Sequence, residues 1–179
     1  MSKAVVRRGF VLWLTGLSGA GKTTLADALE AHLRAGGRRV EVLDGDRVRG
    51  HLSKGLGFSR EDRDVHVMRL AYVAHLLARN GVIAIVAAIS PFRETRRAAR
   101  QLIGDFVEIH VSTPLEECAR RDSKGLYARA RDGELSEFTG ISQPYEAPLD
   151  PEIRMDSSLA RVETCVASIL TKVHELGYL

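Results

Sequence analysis

The sequence has few cysteines, little net charge and no long apolar run. It holds 2 cysteines in 179 residues, Cys118 and Cys165. They lie far apart and neither belongs to a metal-spaced pair, so both read as buried free thiols of a reducing compartment. The net charge is only +3. That argues against a dedicated nucleic-acid binder, although local basic clusters remain free to hold a small polyanion. No stretch approaches the ~20 apolar residues that span a bilayer, so no membrane partner is expected. The basic start, Met1 to Arg8, is followed by no signal-peptide cleavage pattern, and a cytoplasmic enzyme is the expectation. Internal repeats, low-complexity tracts and linkers are missing too. Hydrophobic residues at 45% and charged residues at 27% are ordinary for a globular chain. The length fits one domain spanning residues 1–179.

Against that plain background one stretch stands out, Gly16-Leu-Ser-Gly-Ala-Gly-Lys-Thr-Thr24. It fits the phosphate-loop pattern G-x-x-x-x-G-K-[ST], with Gly16, Gly21, Lys22 and Thr23 at the fixed positions. An apolar run, Phe10 to Thr15, precedes it. Leu25, Ala28, Leu29 and Leu33 follow at helical spacing. Strand, glycine loop and helix in that order let backbone N–H groups turn inward on phosphate oxygens, with the positive helix end behind them. The loop residues Gly16, Leu17, Ser18, Gly19, Ala20, Gly21, Lys22, Thr23 and Thr24 therefore form the expected ATP site. Lys22 reaches the β- and γ-phosphates, and the Thr23 hydroxyl ligates Mg²⁺.

The remaining pattern alternates strands and helices. Arg39 to Asp44 reads as a strand, Asp46 to Leu52 as a short helix, and Ser59 as the N-cap of a helix that stops at Asn80-Gly81. That helix shows Val65, Met68, Tyr72 and Leu76 on one face. Val82 to Ile89 is apolar throughout, as in a central parallel strand. A helix to about Ile103, a strand Phe106 to Val111 and a helix through about Arg121 follow. Asp122 to Pro151 is rich in glycine, proline and charge, with little core periodicity, and reads as a functional lid. A short strand Ile153 to Met155 and an amphipathic helix marked by Leu159, Val162, Val166, Ile169, Val173 and Leu176 close the chain. The expected class is α/β: a three-layer fold of the P-loop NTPase type, with a parallel sheet, helices on both faces and a lid. Ligands in such folds bind at the carboxyl ends of the strands. Gly16–Thr24, Asp44–Asp46 and Ser90–Arg93 all fall there.

Two further absences narrow the chemistry. There is no Asn-Lys-x-Asp guanine-reading motif and no Asp-x-x-Gly switch, which sets the GTPase class aside. The central strand ends in Ala-Ala-Ile-Ser, with no acid where an ATPase organises its Mg²⁺; the nearest carboxylate is Asp44 on the neighbouring strand. A phosphate loop with a long lid points to phosphoryl transfer to a small acceptor, with the lid excluding water.

Five blocks then carry a family resemblance: Gly16 to Thr24, Leu43-Asp-Gly-Asp46, Leu56-Gly-Phe-Ser59 with Glu61-Asp-Arg63, Ala88-Ile-Ser-Pro-Phe-Arg93, and Lys124-Gly-Leu-Tyr127 leading to Phe138-Thr-Gly-Ile141. With them the chain resembles adenylylsulfate kinase (APS kinase). The resemblance implies transfer of the γ-phosphate of ATP to the 3′-hydroxyl of adenosine 5′-phosphosulfate, a homodimer, and an ATP sulfurylase as a possible partner. The run His51 to Phe58 looks most like kinases that occur fused to such a sulfurylase. Two other readings stand beside it. One is a small-metabolite kinase of the same fold, which the paired Phe58 and Phe138 disfavour. The other is a nucleotide-binding regulatory subunit, which the intact set of Lys22, Thr23, Asp44 and Lys124 disfavours.

The resemblance also assigns roles. Asp44 holds a Mg²⁺-bound water or accepts the acceptor's proton, unless it only caps the next helix. Asp46 and Arg49 hold the acceptor, Arg49 through bidentate contact with sulfate or phosphate oxygens. Phe58 and Phe138 flank the acceptor's adenine, the alternative being core packing. Stacking there is worth ~1–3 kcal/mol per base. Arg63 binds the acceptor, and His66, where the family usually has Asn, adds one hydrogen bond and pH dependence near neutrality. Ile89 and Ser90 touch the acceptor. No sequence neighbour supplies a base, so direct transfer with Ser90 as a positioning hydroxyl is expected over a phosphoserine. Lys124 holds the acceptor or the transferring phosphoryl charge, as a cation that arrives on lid closure. Cys118 and Arg121 line the ATP adenine, with Arg121 stacking on the ring and core packing the other reading for Cys118. Arg93, Arg96, Arg97 and Arg100 read mostly as a solvated helix face. Ser136-Glu137, in place of the usual Lys-Gly, predicts weaker lid closure.

Overall fold

In the computed structural model, residues 8–122 and 124–179 are described. The tail expected over residues 1–9 lies outside them except for Arg8 and Gly9, and Arg8 pairs with Asp105. Among the described residues, five strands form a wholly parallel sheet. They are β1 (Val11–Thr15), β2 (Val40–Asp44), β3 (Ile83–Ala87), β4 (Phe106–Val111) and β5 (Ile153–Met155), in the order β2-β3-β1-β4-β5. The helices are α1 (Lys22–Ala35), α2 (Gly45–Leu52), α3 (Arg60–Arg79), α4 (Arg93–Ile103), α5 (Leu115–Arg121), α6 (Leu126–Arg131) and α7 (Val162–Glu175).

The alternation of side chains across a strand makes two cores. Leu12 and Leu14 of β1 and Ile83 and Ile85 of β3 point to one face. They meet Leu25, Leu29 and Leu33 of α1 and Val166, Ile169 and Val173 of α7. Val11, Trp13, Ala84 and Val86 point to the other face, onto Val67, Leu70 and Ala74 of α3 and Ala99 and Ile103 of α4. β1 and β3 are buried on both faces, which is why they are apolar at every position but Thr15, whose hydroxyl is bonded to the Ile89 carbonyl. The chain lays β2 and β3 to one side of β1 and β4 and β5 to the other. The order therefore reverses at the carboxyl end of β1, where the phosphate loop begins. This is the three-layer α/β fold expected from the strand–helix alternation.

Three local expectations change. α3 turns Val67, Leu70, Ala71, Ala74 and Ala78 to the sheet and leaves Val65 and Tyr72 exposed. Both stripes are apolar, and the alanine-rich one lets the helix axis come closer to the sheet. Leu159 is 84% exposed and precedes α7 rather than belonging to it. The segment 122–151 also contributes to the core: α6 buries Tyr127 and Ala130, and Asp122 accepts from the N–H groups of Tyr127 and Ala128 at 3.0 Å each, capping α6 from three residues before its N-cap.

Candidate active site

The phosphate loop runs from the end of β1 to the start of α1 as the sequence predicts. Gly16 has φ +152, and a Cβ there would lie 2.4 Å from the carbonyl oxygen of Val111. Gly21 has φ +98, with the Ser157 hydroxyl 2.9 Å from where its Cβ would be. A side chain at either place would push the loop off β4 and β5. No side chain caps the N-terminus of α1 and no acid lies in its first turn. Its N–H groups and its positive end are therefore left to an anion.

Lys22 is nearly buried. Its ammonium donates to the carbonyls of Gly16 at 2.9 Å and Leu17 at 2.7 Å. Burial lowers its pKa to about 8, partly opposed by Asp46. The ammonium is thus held in the loop by two neutral acceptors, ready to trade them for phosphate oxygens. Thr23 donates from Oγ1 to Asp44 Oδ2 at 2.8 Å. The other oxygen of Asp44 accepts from the N–H groups of Asp46 at 3.0 Å and Arg47 at 3.2 Å and so caps α2. Both readings of Asp44 meet in one carboxylate: one oxygen caps the helix, and the other faces the Thr23 hydroxyl beside the phosphate loop.

Several residues bracing this loop were not singled out from the sequence. The hydroxyls of Thr113 and Ser157 donate to the Ala20 carbonyl at 3.0 and 2.7 Å. Tyr127 donates from its hydroxyl to the Ser18 carbonyl at 2.9 Å, tying α6 to the loop. Thr113 and Ser157 follow the ends of β4 and β5. The strand-end rule that found Asp44 would have found them as well.

The second wall of the site is cationic and aromatic. Phe58 is 51% exposed. Arg49 lies over its ring at 4.6 Å and Arg63 at 5.4 Å. Arg49 donates to the Gly57 carbonyl at 2.8 Å. Arg63 donates to the carbonyls of Phe58 at 2.8 Å and Glu137 at 2.6 Å. Burial draws both guanidiniums below their ordinary pKa, and Arg49 lowers Arg63 further. Two adjacent cations that spend their hydrogen bonds on carbonyls keep their charge for an incoming anion. Lys124 forms an ion pair with Asp46, and both side chains are largely exposed. An exposed pair is worth little and opens readily for a stronger anion.

Several of the expected site residues have their side chains engaged within the protein. The Ser90 hydroxyl is 2% exposed, accepts from Trp13 Nε1 at 3.0 Å and is 3.3 Å from the Ala88 carbonyl. Its hydroxyl is thus held toward the core between the Trp13 indole and the Ala88 carbonyl. Ile89, one residue before, is half-buried and gives its carbonyl to Thr15 Oγ1 at 2.7 Å. Cys118 has no exposed surface, and burial pushes its thiol pKa up. Its side chain belongs to the core, while its backbone carbonyl lies against Gly19 of the phosphate loop. Arg121 binds Glu117 at 2.9 Å and Ser157 Oγ at 3.0 Å and also donates to the Gly19 carbonyl of the phosphate loop at 3.4 Å, so its guanidinium lies beside the loop. Phe138 is 8% exposed and meets Tyr127 edge-on at 4.9 Å, so core packing accounts for it as it stands. His66 is buried, with Nδ1 2.8 Å from Ser53 Oγ. Burial and the Arg49 charge lower its pKa to about 4. It stays neutral through the physiological range, and the pH dependence expected near neutrality does not come from it. Arg96 is buried as well, unlike its exposed neighbours Arg93 and Arg97.

The donor set suits a magnesium ion. Mg²⁺ takes one or two protein oxygens and fills its other positions with water and phosphate. Thr23 Oγ1 and Asp44 Oδ2 are two such oxygens beside the phosphate loop. Among the described residues there is no cluster of three or more histidine, cysteine or acidic side chains that would favour a tightly caged metal instead.

Comparison with known proteins agrees with this geometry. A sequence model of the adenylylsulphate kinase family matches residues 8–156. The adenylyl-sulfate kinase of Picosynechococcus sp. is 58% identical over 172 residues, covering 96% of this chain and 97% of that protein. The structure of the APS kinase from Mycobacterium tuberculosis, in complex with AMPPNP and APS, superposes with a TM-score of 0.90 at 42% identity, covering 93% of this chain and 98% of that one. A hexameric APS kinase from Thiobacillus denitrificans superposes with a TM-score of 0.74 at 42% identity, over 97% of this chain and 30% of that one.

Proposed function

We infer that this chain, which belongs to the adenylylsulphate kinase family, transfers the γ-phosphoryl group of ATP to the 3′-hydroxyl of adenosine 5′-phosphosulfate, yielding 3′-phosphoadenosine 5′-phosphosulfate and ADP. The observation that carries this reading is the juxtaposition of two anion sites at the carboxyl end of the sheet. One is the phosphate loop with Lys22. The other is the Arg49–Phe58–Arg63 wall, which offers two cations and a half-exposed aromatic ring. A phosphosulfate needs the cations and an adenine needs the ring. A sugar acid would use the first and leave the second bare, and the related kinase bound to AMPPNP and APS holds ligands of these two kinds.

Each side chain has its own task in this reading. The loop N–H groups and Lys22 hold the β- and γ-phosphates and take up charge as it moves to the leaving oxygen. Thr23 and Asp44 would hold Mg²⁺, which when bound supplies charge neutralisation between the β- and γ-phosphates. Asp44 also receives the proton of the acceptor hydroxyl, directly or through water. Arg49 and Arg63 orient the acceptor's phosphosulfate and Phe58 stacks on its adenine. Lys124 leaves Asp46 to meet the transferring group. The domain is read as one kinase unit over 1–179, with the lid at 122–151. Its buried free thiols Cys118 and Cys165 suit the cytoplasm. An ATP sulfurylase is the natural source of its acceptor. The exposed Val65 and Tyr72 on α3 are the face we assign to a second copy of the chain. A monomeric mass by sedimentation equilibrium would overturn that assignment.

The test of the reaction is ADP release with MgATP and a panel of acceptors: adenosine 5′-phosphosulfate, AMP, gluconate and none. Release is expected only with the phosphosulfate. Phe58→Ala is the informative variant because Phe58 is exposed, whereas Phe138→Ala would cost core packing. Losing a stack worth ~1–3 kcal/mol should raise the acceptor KM about 5- to 150-fold with an unchanged melting temperature. Equal slow release in every tube would leave a bare ATPase or a regulatory domain.

A further inference from the structure

Arg96 lies on α4 at 3% exposure, and its guanidinium serves three separate parts of the chain. Nε donates to Glu108 Oε1 on β4 at 2.7 Å, one terminal nitrogen to the Ser90 carbonyl at 2.6 Å, and the other to the Glu146 carbonyl at 2.6 Å. Each partner is itself constrained. Ser90 has φ +41, a conformation that a residue with a side chain keeps only where its surroundings impose it. Those surroundings are Arg96 on its carbonyl and Trp13 on its hydroxyl. Glu146 lies on the return limb of the lid. Its N–H donates to the Pro91 carbonyl at 2.9 Å, while its carboxylate accepts from the Arg93 N–H at 2.9 Å. Beside it, Tyr145 places its hydroxyl 3.0 Å from Thr15 Oγ1 and stacks on His110, ring centroids 5.8 Å apart. Glu108 is anchored through its own N–H to Glu152 at 2.6 Å.

We propose that Arg96 is a positioning residue for the acceptor: one guanidinium holds the turn at the end of β3 and the return limb of the lid to β4, so that the acceptor-facing turn and the lid keep a fixed register. This rests on the acceptor reading above. None of the Arg96 hydrogen bonds reaches residues 16–24 directly, and its nearest link to the nucleotide side is Thr15, which meets the Ser90 carbonyl and the Tyr145 hydroxyl. A lysine cannot replace it, because a single ammonium cannot span three acceptors set apart by a planar fork.

The test uses the full-length chain. For Arg96→Lys, which keeps the charge opposite Glu108, the Kd for a non-hydrolysable ATP analogue should stay within about twofold and the acceptor KM should rise ~10- to 100-fold, the scale of a small misplacement of a reacting group. The double variant Arg96→Met with Glu108→Met strands no buried charge and should show the same acceptor-selective loss. Unchanged acceptor KM in a folded variant overturns the proposal, as does equal weakening of nucleotide and acceptor. A third measurement needs no variant. In hydrogen exchange on the parent protein with ADP and adenosine 5′-phosphosulfate, peptides covering 88–91 and 143–147 should gain protection together. Protection of the first without the second overturns the coupling. Failure of the kinase reading looks different: the parent itself would then release no acceptor-dependent ADP.

Discussion

Lys22→Met is expected to abolish acceptor-dependent ADP release and yet leave the protein at least as stable as its parent below pH 8. The catalytic half follows from position. Lys22 is the cation inside the phosphate loop, and removing one preorganised donor to a developing charge costs ~10²–10³ in rate. The stability half follows from burial. The Lys22 pKa is lowered from 10.5 to about 8, chiefly by desolvation. The folded state thus pays for an ammonium that the unfolded chain carries freely. The sign is fixed by linkage. Below pH 8 the lysine is protonated in both states and the penalty is present in full. Between about 8 and 10.5 the unfolded chain binds the extra proton, so stability rises with pH; above 10.5 the penalty is gone. The shift corresponds to a penalty on the order of 3 kcal/mol at ~1.4 kcal/mol per pKa unit. Against it stand the two hydrogen bonds to Gly16 and Leu17, at about 1 kcal/mol each. Thermal melts at pH 7 and pH 10 check this: the variant should match or exceed the parent at pH 7 and lose that advantage at pH 10. A variant that melts several degrees below the parent at pH 7 would remove the burial account. ATP has the opposite influence on Lys22, since a phosphate beside the ammonium favours the charged form. Binding above pH 8 should therefore take up a proton, and affinity should fall as pH rises through 8.

Asp44→Asn is expected to cut the rate ~10²–10³-fold with almost no change in melting temperature, because asparagine caps a helix as well as aspartate does. The amide oxygen would still accept from the Asp46 and Arg47 N–H groups, while the amide NH2 would replace the oxygen that now accepts from Thr23 and would donate to its hydroxyl instead. The negative charge and the metal-facing oxygen beside the phosphate loop are lost, and the cap stays. Asp44→Ala is the contrasting variant. It removes the cap as well, at ~1 kcal/mol, and α2 carries Asp46 and Arg49. Its acceptor KM should rise along with the loss of rate, while that of Asp44→Asn stays near the parent value. The two variants, assayed with both substrates varied, separate the helix-capping oxygen from the metal-facing one. Asp44→Asn activity within about twofold of the parent would take the carboxylate out of the chemistry.

Much of this site could be read without coordinates because its pieces are local. The phosphate loop is set by glycines and a lysine at fixed spacing, and its context by one apolar run before it and one helical period after it. The N-caps at Asp44 and Ser59 lie two or three residues from the N–H groups they bind. The apolar strands of a parallel sheet differ so sharply from their surroundings that the layer order followed from alternation alone.

Where the sequence left a side chain's setting open, the deciding partner lay far along the chain. Arg96 looks like any arginine on a polar helix until Glu146, fifty residues on, crosses over it and takes it out of water. Phe138 reads as a loop aromatic until Tyr127 packs on its edge, while Tyr127 is itself held by the Ser18 carbonyl 109 positions earlier. Ser90 is a strand-end hydroxyl by pattern, and the Trp13 indole on the next strand turns it inward. His66 shows one donor and one acceptor in sequence, and only burial beside Arg49 makes it neutral. The sequence by itself determined the nucleotide site, the strand–helix order and the residue types on the acceptor wall, since backbone conformation, periodicity and capping act over a few residues. Which of those side chains face the acceptor and which are spent holding the lid and strand ends in place was decided by the tertiary structure, because burial and hydrogen-bond pairing depend on which distant segments the fold brings together.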